Sequence, residues 1–120
     1  MAKTVLVVDD SSFTRNLLKN MILEVIDVSV IEASDGNEAI AMFDEMKPDM
    51  VFMDVMMPNL NGLEALKQII GRDADAKVVI YTSTQQNVVA KEAVDAGASD
   101  FITKPITKES IVAIINKYLK

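Results

Sequence analysis

Asp9, Asp10, Asp54, Thr82 and Lys104 are the residues of this 120-residue chain whose types and positions could do chemistry together. Each follows a short run that reads as a strand: Asp9-Asp10 after Thr4 to Val8, Asp54 after Met50 to Met53, Thr82 after Lys77 to Tyr81, and Lys104 shortly after Phe101 and Ile102. Three carboxylates brought close together cannot all stay ionised without a counter-charge. A divalent cation supplies it, and Lys104 adds a point charge. The chain has no His and no Cys, so any metal is held by oxygen, which points to Mg2+ or a similarly hard ion. A carboxylate nucleophile, two metal-holding acids, a hydroxyl and a lysine are the parts of phosphoryl transfer to an aspartate.

Taken singly, each residue has a plainer reading. An Asp after a strand often only caps the next helix. Lys104, ahead of Pro105, could be a solvated loop lysine, and Thr82 could simply end a strand. The inference rests on the joint pattern, with four strand-end loops each contributing suitable chemistry. Met42, Met46, Met50, Met53, Met56 and Met57 fall on helix, strand and loop in turn, which suits core filling better than soft-metal binding.

The elements that must position these residues alternate along the chain. Strands are expected at Thr4–Val8, Val28–Ala33, Met50–Met53, Lys77–Tyr81 and around Phe101-Ile102. Between them, apolar residues recur at helical spacing over Ser12–Val25, behind Asp35 as far as Lys47, behind Asn61-Gly62, over Gln86–Ala96 and behind Thr107. Asp35 with Glu38 and Thr107 supply N-caps, Pro48 stops the second helix, and Gly97 supplies a C-cap. Five strand–helix units imply one parallel sheet covered on both faces. In such sheets ligands bind beyond the carboxyl ends of the strands, where the five residues fall.

Composition excludes other classes. Without Cys or His there is no zinc finger, haem–His site, thiol nucleophile, Ser-His-Asp triad or disulfide framework. Twelve Lys+Arg against eighteen Asp+Glu give a net charge of −6, which disfavours binding to nucleic acid. No apolar run approaches the ~20 residues of a membrane helix, and no signal-peptide pattern opens the chain. A cytoplasmic, membrane-free single domain is expected.

The ordered set Val7-Val8-Asp9-Asp10-Ser11, Met53-Asp54-Val55-Met56-Met57-Pro58 with Asn61-Gly62, Thr82-Ser83, and Ala96-Gly97-Ala98 with Phe101-Ile102-Thr103-Lys104-Pro105 resembles the receiver domain of bacterial and archaeal two-component response regulators. The resemblance covers the whole chain, so residues 1–120 are expected to form one receiver domain. It implies a flavodoxin-like, doubly wound (βα)5 fold with strand order 2-1-3-4-5. It implies that Asp54 is the phosphoacceptor, that Asp10 binds Mg2+ directly and Asp9 partly through water, and that the Met56 backbone carbonyl is a further ligand. Thr82 would hydrogen-bond the phosphoryl group and Lys104 would pair with it. Lys104-Pro105 would be a cis peptide. Thr82 and Phe101 would form the switch, the aromatic following the threonine inward and altering the face of helix four, strand five and helix five. Phe101 stands where the family often has Tyr, so no phenolic hydroxyl takes part.

The donor implied is a sensor histidine kinase, and the chain would catalyse only its own phosphorylation and dephosphorylation. Asp9 to Arg15 resembles the opening of stand-alone, chemotaxis-type receivers, and a receiver with no output domain after Lys120 is expected. A monomer that signals by binding a downstream target, such as a flagellar motor switch, is therefore expected; the alternatives are a phosphorelay receiver or a fragment of a larger regulator. A Mg2+-dependent aspartyl phosphatase would place Asp-x-Asp on strand one and carry a cap. A flavin carrier would have a Ser/Thr/Gly-rich loop where Asp9-Asp10 stand, and a degenerate receiver would lack some of the five residues. The stretch Val25–Glu32 lacks the glycine often found between helix one and strand two. With five Val or Ile in eight residues, it carries an expected risk of strand exchange or aggregation.

Overall fold

The computed structural model describes residues 3–55, 62–82 and 87–119, with side chains described from residue 91 onward in the last segment. Five strands and five helices alternate: β1 (Thr4–Val8), α1 (Ser12–Val25), β2 (Ser29–Ala33), α2 (Gly36–Met46), β3 (Met50–Asp54), α3 (Gly62–Arg72), β4 (Val78–Thr82), α4 (Asn87–Asp95), β5 (Asp100–Thr103) and α5 (Lys108–Tyr118). The strands form one sheet in the order β2-β1-β3-β4-β5, and every pairing is parallel. The central strands are apolar and buried because helices cover both faces.

Alternate residues of each strand enter two separate cores. Leu6, Val8, Val51, Met53, Val78 and Ile80 pack with Ala39, Phe43, Leu66, Ile69 and Ala93, beneath α2, α3 and α4. Val5, Val7, Met50, Phe52, Val79 and Tyr81 pack with Leu18, Ile22, Ile111 and Ile115, beneath α1 and α5. Met50 and Met53 thus fill opposite cores, as the period of two requires.

The helix ends follow local chemistry. Ser11 Oγ accepts from the Thr14 N–H at 3.2 Å and caps α1. Asp35 Oδ1 accepts from the Glu38 N–H at 2.8 Å, and Glu38 reaches back to the Ser34 N–H at 3.2 Å. Lys47 closes α2 in the left-handed region, φ 45°, just before Pro48. Gly97 follows α4 at φ 113°, a conformation that favours glycine. Thr107 and Ser110 form a reciprocal capping box on α5.

Boundaries move by a residue or so where pairing decides them. Asp54 and Thr82 are the last residues of β3 and β4, because Asp54 pairs with Tyr81 and Thr82 with Thr103. Val28 precedes β2 as a buried residue. β2 lies at the sheet edge, yet Val30 and Ile31 pack against the two cores, one on each face. Asn61 and Gln86, expected at two helix starts, lie outside the described residues, as do Met57 and Ser83.

Candidate functional site

The register lines up the strand ends. Val8 pairs with Met53, so Asp9 and Asp54 come side by side at the carboxyl edge of the sheet. Thr82 pairs with Thr103 on the next strand, which places Lys104 farther along the same edge. The Lys104 N–H donates to the Thr82 carbonyl oxygen at 2.6 Å, and the Lys104-Pro105 peptide is cis.

Asp9, Asp10 and Asp54 each present a carboxylate oxygen to one point, these oxygens lying within 4.8 Å of one another. Asp9 and Asp54 are buried, only 2% and 3% exposed, while Asp10 is exposed at the mouth. Buried like charges repel strongly where water is scarce. Lys104 Nζ donates to Asp54 Oδ2 at 3.1 Å and offsets one of them. The donor set is entirely carboxylate oxygen, which fits a hard divalent cation held by Asp9, Asp10 and Asp54. Met56, whose carbonyl is an expected further ligand, lies outside the described residues.

Thr82 is buried at the end of β4. Phe101 pairs with Ile80 across the ladder, and its side chain is 42% exposed at the surface. The structure thus brings Asp9, Asp10, Asp54, Thr82 and Lys104 to one edge and leaves Phe101 on β5 beside it.

Four residues that the sequence reading did not place in the site support it. Ser11 donates its N–H to Asp9 Oδ1 at 2.8 Å. Arg15 donates from Nη1 to the Asp9 carbonyl at 2.6 Å and from Nε to Glu32 at 3.0 Å, tying α1 and β2 to the acidic loop. Tyr81 donates its hydroxyl toward Asp9 Oδ2 at 2.8 Å and the Val8 carbonyl at 2.9 Å. Burial, followed by the charge and hydrogen bond of Asp9, pushes the Tyr81 phenol far above the ordinary tyrosine range, so it remains a donor. The signal for Tyr81 was a hydroxyl in a strand expected to be buried, where such a group needs a partner. Gly62 donates its N–H to the Val55 carbonyl at 2.9 Å and packs against the backbone of Asp54. Its place after Asn61 signalled a helix start rather than this close approach.

Three comparisons bear on this arrangement. The family model of the response regulator receiver domain matches residues 5–116. The chain is 41% identical over 120 residues to the chemotaxis protein CheY of Thermotoga maritima, with 100% of both chains covered. It is 44% identical over 119 residues to the chemotaxis protein CheY of Halobacterium salinarum, covering 99% of this chain and 98% of that one. Among solved structures, the CheX-CheY-BeF3-Mg complex from Borrelia burgdorferi is similar with a TM-score of 0.88 at 28% identity, over 98% of this chain and 90% of that one.

Proposed function

Since this chain belongs to the response regulator receiver family and is a phosphoacceptor switch of two-component signalling, we propose that Asp54 is the residue that accepts the phosphoryl group. The observation that carries this is the buried Asp54 carboxylate, 3.1 Å from Lys104 Nζ and grouped with Asp9 and Asp10 at the sheet edge. The whole of residues 1–120 is read as one receiver domain.

The donor is the phosphohistidine of a sensor kinase. A carboxylate oxygen of Asp54 attacks phosphorus, the P–N bond breaks, and the imidazole leaves with the electron pair and takes up a proton. Hydrolysis reverses the state: water attacks phosphorus, the P–O bond to Asp54 breaks, and inorganic phosphate leaves. Asp10 and Asp54 would hold Mg2+ directly, Asp9 partly through water, with the Met56 carbonyl as a further ligand, and the ion would supply positive charge to the phosphoryl oxygens. Lys104 passes from the free carboxylate to a phosphoryl oxygen, and the Thr82 hydroxyl donates to another. No other substrate is turned over.

Similarity to two chemotaxis proteins over nearly their full length supports a chemotaxis role. In that role the α4–β5–α5 face, including Phe101, binds a downstream target such as the flagellar motor switch, and the protein works as a cytoplasmic monomer. No helix among the described residues is long and apolar enough to cross a membrane. Intact-mass spectrometry after incubation with acetyl phosphate tests the reading. One phosphoryl increment is expected with Mg2+, and none in EDTA or in Asp54→Asn. An increment that survives the substitution overturns the assignment.

A further inference from the structure

Tyr81 stands where the acidic cluster and the lysine meet. It lies on the next strand, paired with Asp54, and its side chain is fully buried. Its hydroxyl lies 2.8 Å from Asp9 Oδ2 and 2.9 Å from the Val8 carbonyl, the two acceptors sharing its one proton. Its ring centroid lies 5.3 Å from Lys104 Nζ, within the range of a cation–π contact, and that same Nζ donates to Asp54. The other oxygen of Asp9 accepts from the Ser11 N–H at 2.8 Å. Asp9 therefore takes a donor on each oxygen, one from the loop after β1 and one from β4, and its carboxylate plane is fixed.

We propose that Tyr81 is a positioning residue of the metal site: its hydroxyl holds the Asp9 carboxylate in the orientation that faces Asp10 and Asp54, and its ring carries the Lys104 ammonium beside Asp54. The inference rests on the reading of Asp9, Asp10 and Asp54 as metal ligands. Partners one shell out from a metal orient the ligating groups, and their loss typically weakens metal binding ten- to a hundredfold. A phenol suits the task. It carries one hydroxyl donor on a rigid ring, long enough to reach Asp9 from β4. Phenylalanine at this position would keep the ring beneath Lys104 and remove the donor to Asp9, which separates the two roles.

The chain has two tyrosines and no tryptophan, so its near-ultraviolet emission comes from Tyr81 and Tyr118. The experiment titrates Mg2+ alone into the wild type, Tyr118→Phe and Tyr81→Phe, following tyrosine emission and, independently, the heat of binding. In Tyr118→Phe the emission comes from Tyr81. It is expected to shift saturably with the calorimetric midpoint, because a cation at Asp9 weakens the carboxylate as a hydrogen-bond acceptor. Tyr81→Phe is expected to lose that signal and to bind Mg2+ about tenfold more weakly, with an unchanged circular dichroism spectrum. Emission from Tyr118→Phe that ignores a cation seen to bind by calorimetry overturns the proposal. So does wild-type affinity in Tyr81→Phe. If the wild type binds no Mg2+ at all, the reading of the metal ligands itself fails, and the proposal falls with it.

Discussion

Gly62 lies so close to Asp54 that a methyl group in place of its hydrogen would run into the Asp54 carbonyl oxygen and come within 2.8 Å of Val55 Cα. Both obstacles are backbone atoms of the segment that carries the proposed phosphoacceptor, and neither can swing aside as a flexible side chain would. The start of α3 is thereby seated directly on the end of β3, against the backbone of Asp54.

Gly62→Ala is therefore expected to cost about 2–3 kcal/mol of stability, as overpacking against fixed atoms does, and to slow phosphoryl acceptance from acetyl phosphate. Urea unfolding and timed mass spectrometry measure the two effects. A wild-type midpoint would show that the backbone there yields freely.

Lys104→Ala leaves the buried Asp54 carboxylate without its 3.1 Å partner. Breaking a fully buried pair costs several kcal/mol, but the Lys104 side chain is 37% exposed, so a loss of about 1–2 kcal/mol is expected. Added Mg2+ should narrow the gap to wild type by replacing the missing charge. Unfolding midpoints in EDTA and in Mg2+ decide this; equal gaps in both would argue that the ion and the ammonium do not share a site.

Asp10→Ala removes the exposed member of three crowded carboxylates. In EDTA the stability should rise, by on the order of 1 kcal/mol, as like-charge repulsion is relieved. Mg2+ affinity should fall at the same time. A clear loss of stability in EDTA would mean that Asp10 is chiefly structural.

Thr82→Ala should still accept phosphate, more slowly, yet transmit little. Phosphorylation adds about −1.5 to −2 charges, and the new oxygens need donors from the carboxyl edge. Drawing Thr82 inward would open room for Phe101, as a shift toward a conformer already sampled. NMR shifts with beryllofluoride should spread over residues 87–119 in wild type and shrink in the variant. Wild-type shifts confined to the loops around Asp54 would remove the switch from the account.

The alkaline limb of stability should depend on Tyr81. Its folded pKa is held above the unfolded value by burial and by Asp9. The unfolded chain then releases the proton first, so this contribution is complete below the unfolded pKa of about 10 and is lost as pH rises toward the folded value. Above about pH 10 the wild type should lose stability faster than Tyr81→Phe. Parallel curves would place the proton elsewhere.

The alternation of elements was legible because each strand is a dense apolar run and the helices carry local stop and start chemistry. Asp35 with Glu38, Thr107, and Gly97 at φ 113° act where their types suggested. The convergence of Asp9, Asp10 and Asp54 was legible too, since a parallel sheet puts every strand end on one edge. What stayed hidden depends on partners distant in sequence. Whether Asp54 and Thr82 end their strands or follow them is decided by the neighbouring strand. Tyr81 meets a carboxylate 72 residues away, and a strand buried on both faces carries no polar alternation to show which way that hydroxyl points. Gly62 announces a helix start, and nothing local tells of the carbonyl lying against it.

Among the described residues, the sheet divides the interior into two packings that share no side chain, one under α2, α3 and α4 and one under α1 and α5. Changes on one side should combine almost additively with changes on the other. Asp10 and Lys104 belong to neither packing, and their positions are set by where the strands end. Such a partition means that a substitution beneath one set of helices should leave the packing beneath the other set, and the reacting edge between them, nearly unchanged.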